Sequence, residues 1–234
     1  MGAGLLVTVI VGSGIAAQRL SPADVGLQLL ENSLATALGL AVLILVFGPV
    51  SGGHFNPVVS LADWWVGRRA GAGLPPREVG AYAAVQIVGG VAGSALAGIM
   101  FDAAPAFSET HRATAGQLVG EVVATAGLVL LIFALARTTT AAVTAAAVGA
   151  YIGAAYWFTS STSFANPAVT IGRMFTDTFA GIAPASVVPF LAAQLVGAGL
   201  GVALVLVLYP TAARTADRVT VPTLAETPSH QEHS

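Results

Sequence analysis

The chain has 234 residues, 56% of them hydrophobic and 9% charged, with a formal net charge of −2. Soluble domains carry about 25% charged residues, so the composition excludes water as the main solvent, and nine basic residues, all Arg, leave neither a nucleic-acid footprint nor a polybasic lipid patch. The absence of Cys removes disulfides, thiol catalysis and thiolate metal sites, and His54, His111, His230 and His233 are too scattered for a metal cluster, so no cofactor or metal is expected.

Apolar runs between breakers predict membrane spans near 1–18, 29–49, 77–100, 116–136, 139–158 and 185–209. The first run, Met1 to Gln18, ends in small residues like a signal peptide. It lacks a charged n-region, and it reads as a short first span. The separators are Arg19-Leu20-Ser21-Pro22, the stretch Arg68 to Arg77 with Pro75-Pro76, Asp102 to Arg112, the turn Arg137-Thr138-Thr139, and residues 159–184. After Pro210 the composition turns polar, and 210–234 reads as a soluble, disordered tail. Two connections carry apolar segments too short to span, Asn56 to Val66 and Asn166 to Phe175. Both open with Asn, which caps helices, followed by Pro, which suits the first helical position. A polar loop inside a membrane is tolerated where it is buried in protein or lines a water-filled path. Both segments therefore read as re-entrant half-helices facing a pore.

The two segments are copies. Ser51-Gly52-Gly53-His54-Phe55-Asn56-Pro57-Val58-Val59-Ser60 matches Ser161-Thr162-Ser163-Phe164-Ala165-Asn166-Pro167-Ala168-Val169-Thr170, an offset of 166 − 56 = 110 residues. Gln86-Ile87-Val88-Gly89 matches Gln194-Leu195-Val196-Gly197, and Gly93 and Gly201 complete a Gly-x-x-x-Gly spacing in each copy, which lets helices approach closely in lipid. Three spans per copy is an odd number, so the second copy enters from the opposite face as an inverted repeat. The expected fold is an all-α membrane domain over 1–209, with repeat one near 1–113 and repeat two near 114–209. Arg68, Arg69, Arg77, Arg137, Arg214 and Arg218 fall on one face, and Arg19, Arg112 and Arg173 on the other. The bias puts both termini in the cytoplasm.

These residues resemble the aquaporin, or major intrinsic protein, family. The likeness covers 1–209: Ser-Gly-Gly-His-Phe-Asn-Pro in the first loop, Asn166-Pro167-Ala168 in the second, and Glu121 with Thr125 and Leu128 as the opening of a repeat. The resemblance implies a right-handed six-helix bundle, homotetramers with one pore per subunit, a bilayer location (here the bacterial inner membrane) and small neutral solutes as partners. The chain departs from the pattern at three places. Val58 stands where Ala is usual, the Glu matching Glu121 would fall before Met1, and Val169 occupies the place of the filter arginine.

The pore centre is therefore expected at Asn56, Pro57, Val58, Asn166, Pro167 and Ala168, with each Asn side chain capping its half-helix while its NH₂ serves the lumen. By alignment with the family the outer filter draws on Ala154, Ser163 and Val169, plus a second-span residue. That residue is Leu38 when anchored on the helix and Thr36 when counted back from Asn56. Such a ring is small, mostly apolar and uncharged, which favours bulkier neutral solutes. Arg173, one helical turn beyond Val169, and Asp63, its counterpart, are either vestibule charges, with Arg173 partly replacing the filter arginine from a wider position, or snorkelling or locally paired side chains such as Arg173 with Asp177 at i+4, the local reading being slightly preferred. Glu121 is costly in lipid and is expected to accept hydrogen bonds from loop backbone. His54 is expected to brace the first loop, Gln86 and Gln194 to tie spans to loops, and Trp64 and Trp65 to sit at the interface. The reading that follows is passive passage of glycerol-like polyols, with metalloid hydroxides such as arsenous acid and water as further solutes. A water-selective pore is the alternative. A secondary transporter needs midplane coupling groups, and beyond Glu121 and the near-terminal Glu31 the spans supply almost none. No nucleophile–base constellation points to an enzyme.

Overall fold

The computed structural model describes residues 1–68, 71–136 and 140–210. The expected tail, the turn at Arg137 to Thr139, and Arg69 lie outside these residues. The described chain is helical: α1 (Gly2–Leu20), α2 (Val25–Ser51), α3 (Pro57–Gly67), α4 (Pro76–Met100), α5 (Ala115–Leu135), α6 (Ala141–Phe158), α7 (Pro167–Gly172), a 3₁₀ turn at Arg173–Phe175, and α8 (Pro184–Leu208). Six of these helices are long and apolar enough to cross a membrane, and α3 and α7 are the two short ones between them. The chain is an integral membrane protein.

Helix limits follow local chemistry more closely than hydropathy does. The second span starts at Val25, ahead of its apolar run, because Asp24 caps it by accepting the Leu27 N–H at 2.9 Å. Beside it, Gln28 Nε2 donates to the Ser21 carbonyl at 2.8 Å. A cap of this kind contributes about 1 kcal/mol. The helix ends where Gly52 takes the left-handed conformation at φ 70°. A capping box between Thr114 and Gln117 starts α5.

Packing shows the inverted repeat directly. Helix α1 lies along α4 as α5 lies along α8, and α2 meets α6 between the copies. Each half-helix then reaches across, α7 onto α4 and α3 onto α8. The Gly-x-x-x-Gly segments make this possible. A Cβ at Gly201 would sit 2.8 Å from the Ala126 carbonyl, and one at Gly93 would run into the Gly4 carbonyl. In lipid, close packing of this kind replaces the missing hydrophobic drive between helices.

Candidate functional site

Asn56 and Asn166 meet at the seam between the copies, each as the cap of its half-helix. Asn56 Oδ1 accepts the Val58 N–H at 3.1 Å, and Asn166 Oδ1 accepts those of Ala168 and Val169 at 2.9 and 3.3 Å. Their amide nitrogens cross the seam. Asn56 Nδ2 donates to the Ala165 carbonyl at 2.7 Å and Asn166 Nδ2 to the Phe55 carbonyl at 2.9 Å. An amide NH₂ carries two hydrogens, so each Asn locks the opposite loop with one and keeps the other. Both side chains line a lumen of about 60 Å³. On a measure where one water needs roughly 10–15 Å³, that is room for a few molecules in file. Pro57, Val58, Pro167 and Ala168 form the first turns behind the caps, and Val58 and Ala168 are buried.

The walls of the lumen are chiefly aliphatic, from Leu6 and Ile10 of α1, Leu40 and Ile44 of α2, and Leu128 and Ile132 of α5. Polar groups gather toward the face opposite the chain's start, here called the far face. Thr36 and Tyr156 line the lumen there and share a hydrogen bond of 3.1 Å between α2 and α6. Ser163 and Val169 also line it, and the buried Ser163 Oγ has no partner among the described residues.

Two filter expectations are corrected by this geometry. Leu38 is 61% exposed on the outer face of α2, and the residue that faces the lumen is Thr36, two positions earlier. A shift of two residues turns a helix by about 200°, which carries a side chain to the opposite face. Ala154 is likewise exposed on α6, and Tyr156 takes the inward position.

Arg173 departs from the preferred local pairing. It is 2% exposed, lines the lumen, and stands with its guanidinium carbon 3.5 Å from the centre of the Phe164 ring. Its Nε donates to the Ala180 carbonyl. Asp177, the expected i+4 partner, accepts the Glu109 N–H instead, at 3.0 Å. Helix α7 stops at Gly172, so Arg173 leaves on a tighter 3₁₀ turn, and i+4 helical spacing no longer applies. The ring is therefore neither uncharged nor wholly apolar. Asp63 goes the other way: α3 continues past it, and its Oδ2 accepts the Leu74 N–H at 2.8 Å, bracing the connection that follows rather than facing a vestibule.

Glu121, fully buried, accepts the N–H groups of Phe164 and Ala165 at 2.8 Å each and the Gln194 amide at 2.6 Å. Gln194 also donates to Thr170 Oγ1 at 2.8 Å. On the other side Gln86 Nε2 donates to the His54 carbonyl at 2.6 Å, and the His54 ring meets Ser60 Oγ at 3.2 Å and the edge of Tyr82. These groups hold the loops and stand outside the lumen.

The family model described as Major intrinsic protein matches residues 1–164. A curated relative, "Aquaglyceroporin AqpS" of Rhizobium meliloti (strain 1021), is 48% identical over 205 residues, covering 87% of this chain and 85% of that protein. The chain belongs to the major intrinsic protein family. Another family member, Aquaporin-8 of Rattus norvegicus, is 43% identical over 72 residues, 31% of this chain and 26% of its own length. The aquaglyceroporin from Plasmodium falciparum superposes with a TM-score of 0.62 at 19% identity, over 90% of this chain and 96% of that one. That likeness bears on the fold alone. The family model stops two residues short of Asn166, in the copy that carries Tyr156 and Arg173.

Proposed function

We propose that this family member is a passive pore for small uncharged solutes bearing several oxygens, glycerol-like polyols above all, with water and hydroxides of similar shape such as arsenous acid. The observation that carries the reading is the pair of crossed asparagines at the lumen, each with one amide hydrogen left over. They stand at the N-terminal ends of two opposed half-helices, where aligned peptide dipoles place about half a positive charge. A passing oxygen has its lone pairs turned toward both donors, which interrupts a proton wire, and a cation meets a positive barrier while losing its hydration. The relative named an aquaglyceroporin supports the glycerol reading.

The far ring supplies the selection. Thr36, Tyr156, Ser163 and Arg173 offer hydroxyls and N–H donors, while Val169 and Ile152 offer an apolar wall. A polyol has matching sides, with hydroxyls on one edge and carbon on the other. Water alone leaves the apolar wall unused. In the membrane the chain forms a homotetramer in the bacterial inner membrane with both termini cytoplasmic, a reading supported by the Arg bias and by exposed apolar side chains such as Leu34, Leu38 and Val42 along α2.

The test is stopped-flow light scattering of proteoliposomes challenged in turn with water, glycerol and arsenous acid gradients. Glycerol entry well above that of empty vesicles, non-saturable and driven by its gradient, is the expected result. Water flux without glycerol flux would replace this reading with a water-selective pore, and uphill accumulation would replace it with a transporter.

A further inference from the structure

A second cavity, of about 350 Å³, opens at the far mouth beside the lumen. Asn32, Thr110, Arg112, Thr162, Arg173 and Phe179 are among its lining residues, and Arg173 lines the lumen as well. Two guanidinium groups therefore share one space, and among the described residues neither is within salt-bridge distance of a carboxylate. Three successive carbonyls of the loop before α8 hold them instead. Arg112 Nη2 donates to the Phe179 carbonyl at 3.0 Å, Arg173 Nε to that of Ala180, and Arg112 Nε to that of Gly181 at 2.8 Å. The Phe164 ring lies against both cations, at 5.5 Å from Arg112 and 3.5 Å from Arg173.

Donor counting leaves a surplus. An arginine carries five N–H donors, and Arg173, 2% exposed, spends one on the protein. Four remain without a protein partner among the described residues, and Arg112 retains more beside it. Of the acids on the neighbouring loops, Asp24 Oδ1 accepts the Leu27 N–H and Asp177 Oδ1 the Glu109 N–H. The two guanidinium groups repel each other, and the buried Glu121 carboxylate attracts both from beyond salt-bridge distance. Planar guanidinium forks match the edges of oxyanions, which accept two parallel hydrogen bonds. Thr110, with a hydroxyl able to donate, lines the same space.

We propose that this cavity binds a small oxyanion such as inorganic phosphate between Arg112 and Arg173, and that the bound anion slows passage of neutral solutes. The slowing follows from place: Arg173 belongs to both spaces, so an anion on its guanidinium stands at the far entrance to the lumen. This second clause rests on the channel reading above, and the binding clause does not.

Purified full-length protein titrated calorimetrically with sodium phosphate, against sodium chloride of equal ionic strength, tests the binding. Saturable heat with phosphate and none with chloride is expected. Arg112→Gln should weaken binding at least tenfold, Arg112→Lys by less, and Thr110→Val about threefold (about 0.7 kcal/mol), each variant checked for monodisperse elution. Thr110→Val keeps the test intact should the arginine variants fail to fold. Phosphate heat no larger than that of chloride, or affinity unchanged in every folded variant, overturns the site. In proteoliposomes, phosphate at the far face should slow glycerol entry with the midpoint found by calorimetry. Unslowed entry overturns the second clause. Absence of any glycerol flux without phosphate would count against the channel reading and leave the titration standing.

Discussion

The loops that lead into α3 and α7 bring an asparagine to the same point with different materials. In the first, Gly52 and Gly53 take the left-handed turn at φ 70° and 68°, a conformation glycine adopts at no steric cost. In the second the left-handed positions fall to Thr162, Ser163 and Ala165, at φ 59°, 52° and 46°. Each such residue costs about 1–2 kcal/mol relative to ordinary backbone. That loop is also the one clamped by a fully buried carboxylate, Glu121, on two consecutive N–H groups, whereas the first is held by the neutral side chains of Gln86 and His54. A strained backbone persists where its surroundings over-determine it. The comparison teaches that the glycine-poor second loop keeps its strained turn under a buried carboxylate bonded to two consecutive N–H groups.

The counterparts Asp63 and Arg173 extend the same contrast. On the side of α3 the half-helix runs on for 11 residues and its acid stays with the following loop. On the side of α7 the helix has 6 residues, and the arginine after it turns to the lumen. One repeat spends its charge on structure and the other on the passage.

Removing the clamp should have the largest effect. Glu121→Ala leaves the Phe164 and Ala165 N–H groups unpaired in a buried site and takes one of two acceptors from the Gln194 amide. Hydrogen bonds to charged groups contribute about 1.5–3 kcal/mol each, so a loss of about 3–5 kcal/mol is expected, seen as a collapse of monodisperse protein on size exclusion. Gln86→Ala in the first repeat should cost about 1–2 kcal/mol. Equal losses would remove the distinction between the loops.

The caps come next. Asn166 accepts two N–H groups where Asn56 accepts one, while both cross the seam. Asn166→Ala should therefore lower stability by about 2 kcal/mol and Asn56→Ala by about 1, read as two different thermal midpoints in the same detergent. The reverse order would show that the crossing bonds, not the caps, decide.

At the lumen, Val59 and Val169 are repeat counterparts and both line the wall. Val169→Arg adds a guanidinium one turn inside Arg173, and glycerol permeability should fall about tenfold, about 1.4 kcal/mol of barrier, with water little changed. Val59→Arg should slow both solutes alike, since no polar ring surrounds it. Stopped-flow ratios of glycerol to water separate the two outcomes, and equal loss of both solutes in Val169→Arg would count against the placement of the ring.

The smallest effects, of opposite sign, should come from the turns themselves. Thr162→Gly relieves a β-branched residue in the left-handed region and should stabilise by about 1 kcal/mol. Gly52→Ala should destabilise by a similar amount. Thermal unfolding of the pair gives the sign of each directly.

Much of this was legible because it depends on local chemistry. Span lengths follow from hydropathy, and the half-helices from Asn-Pro at a fixed offset. The contacts made by Glu121, Gln86 and Gln194 follow from the cost of unpaired polar groups in lipid. The filter was legible in part. Ser163 and Val169 sit close to an asparagine, so counting places them, but Leu38 and Ala154 lie far along their helices, where an error of two residues reverses the face. Tyr156 gave one usable signal: a tyrosine on an apolar span needs a partner for its hydroxyl, and Thr36 is the inward hydroxyl on α2.

The sequence by itself determined the membrane, the six spans, the two half-helices and the inverted repeat, because hydropathy, helix caps and a 110-residue offset are properties of the chain in order. Tertiary structure alone decided where the charge goes. Whether Arg173 pairs with Asp177 four residues on, or turns past Phe164 into the passage, depends on α7 ending at Gly172 and on the Ala180 carbonyl waiting across a loop. Both are facts of packing that no periodicity carries.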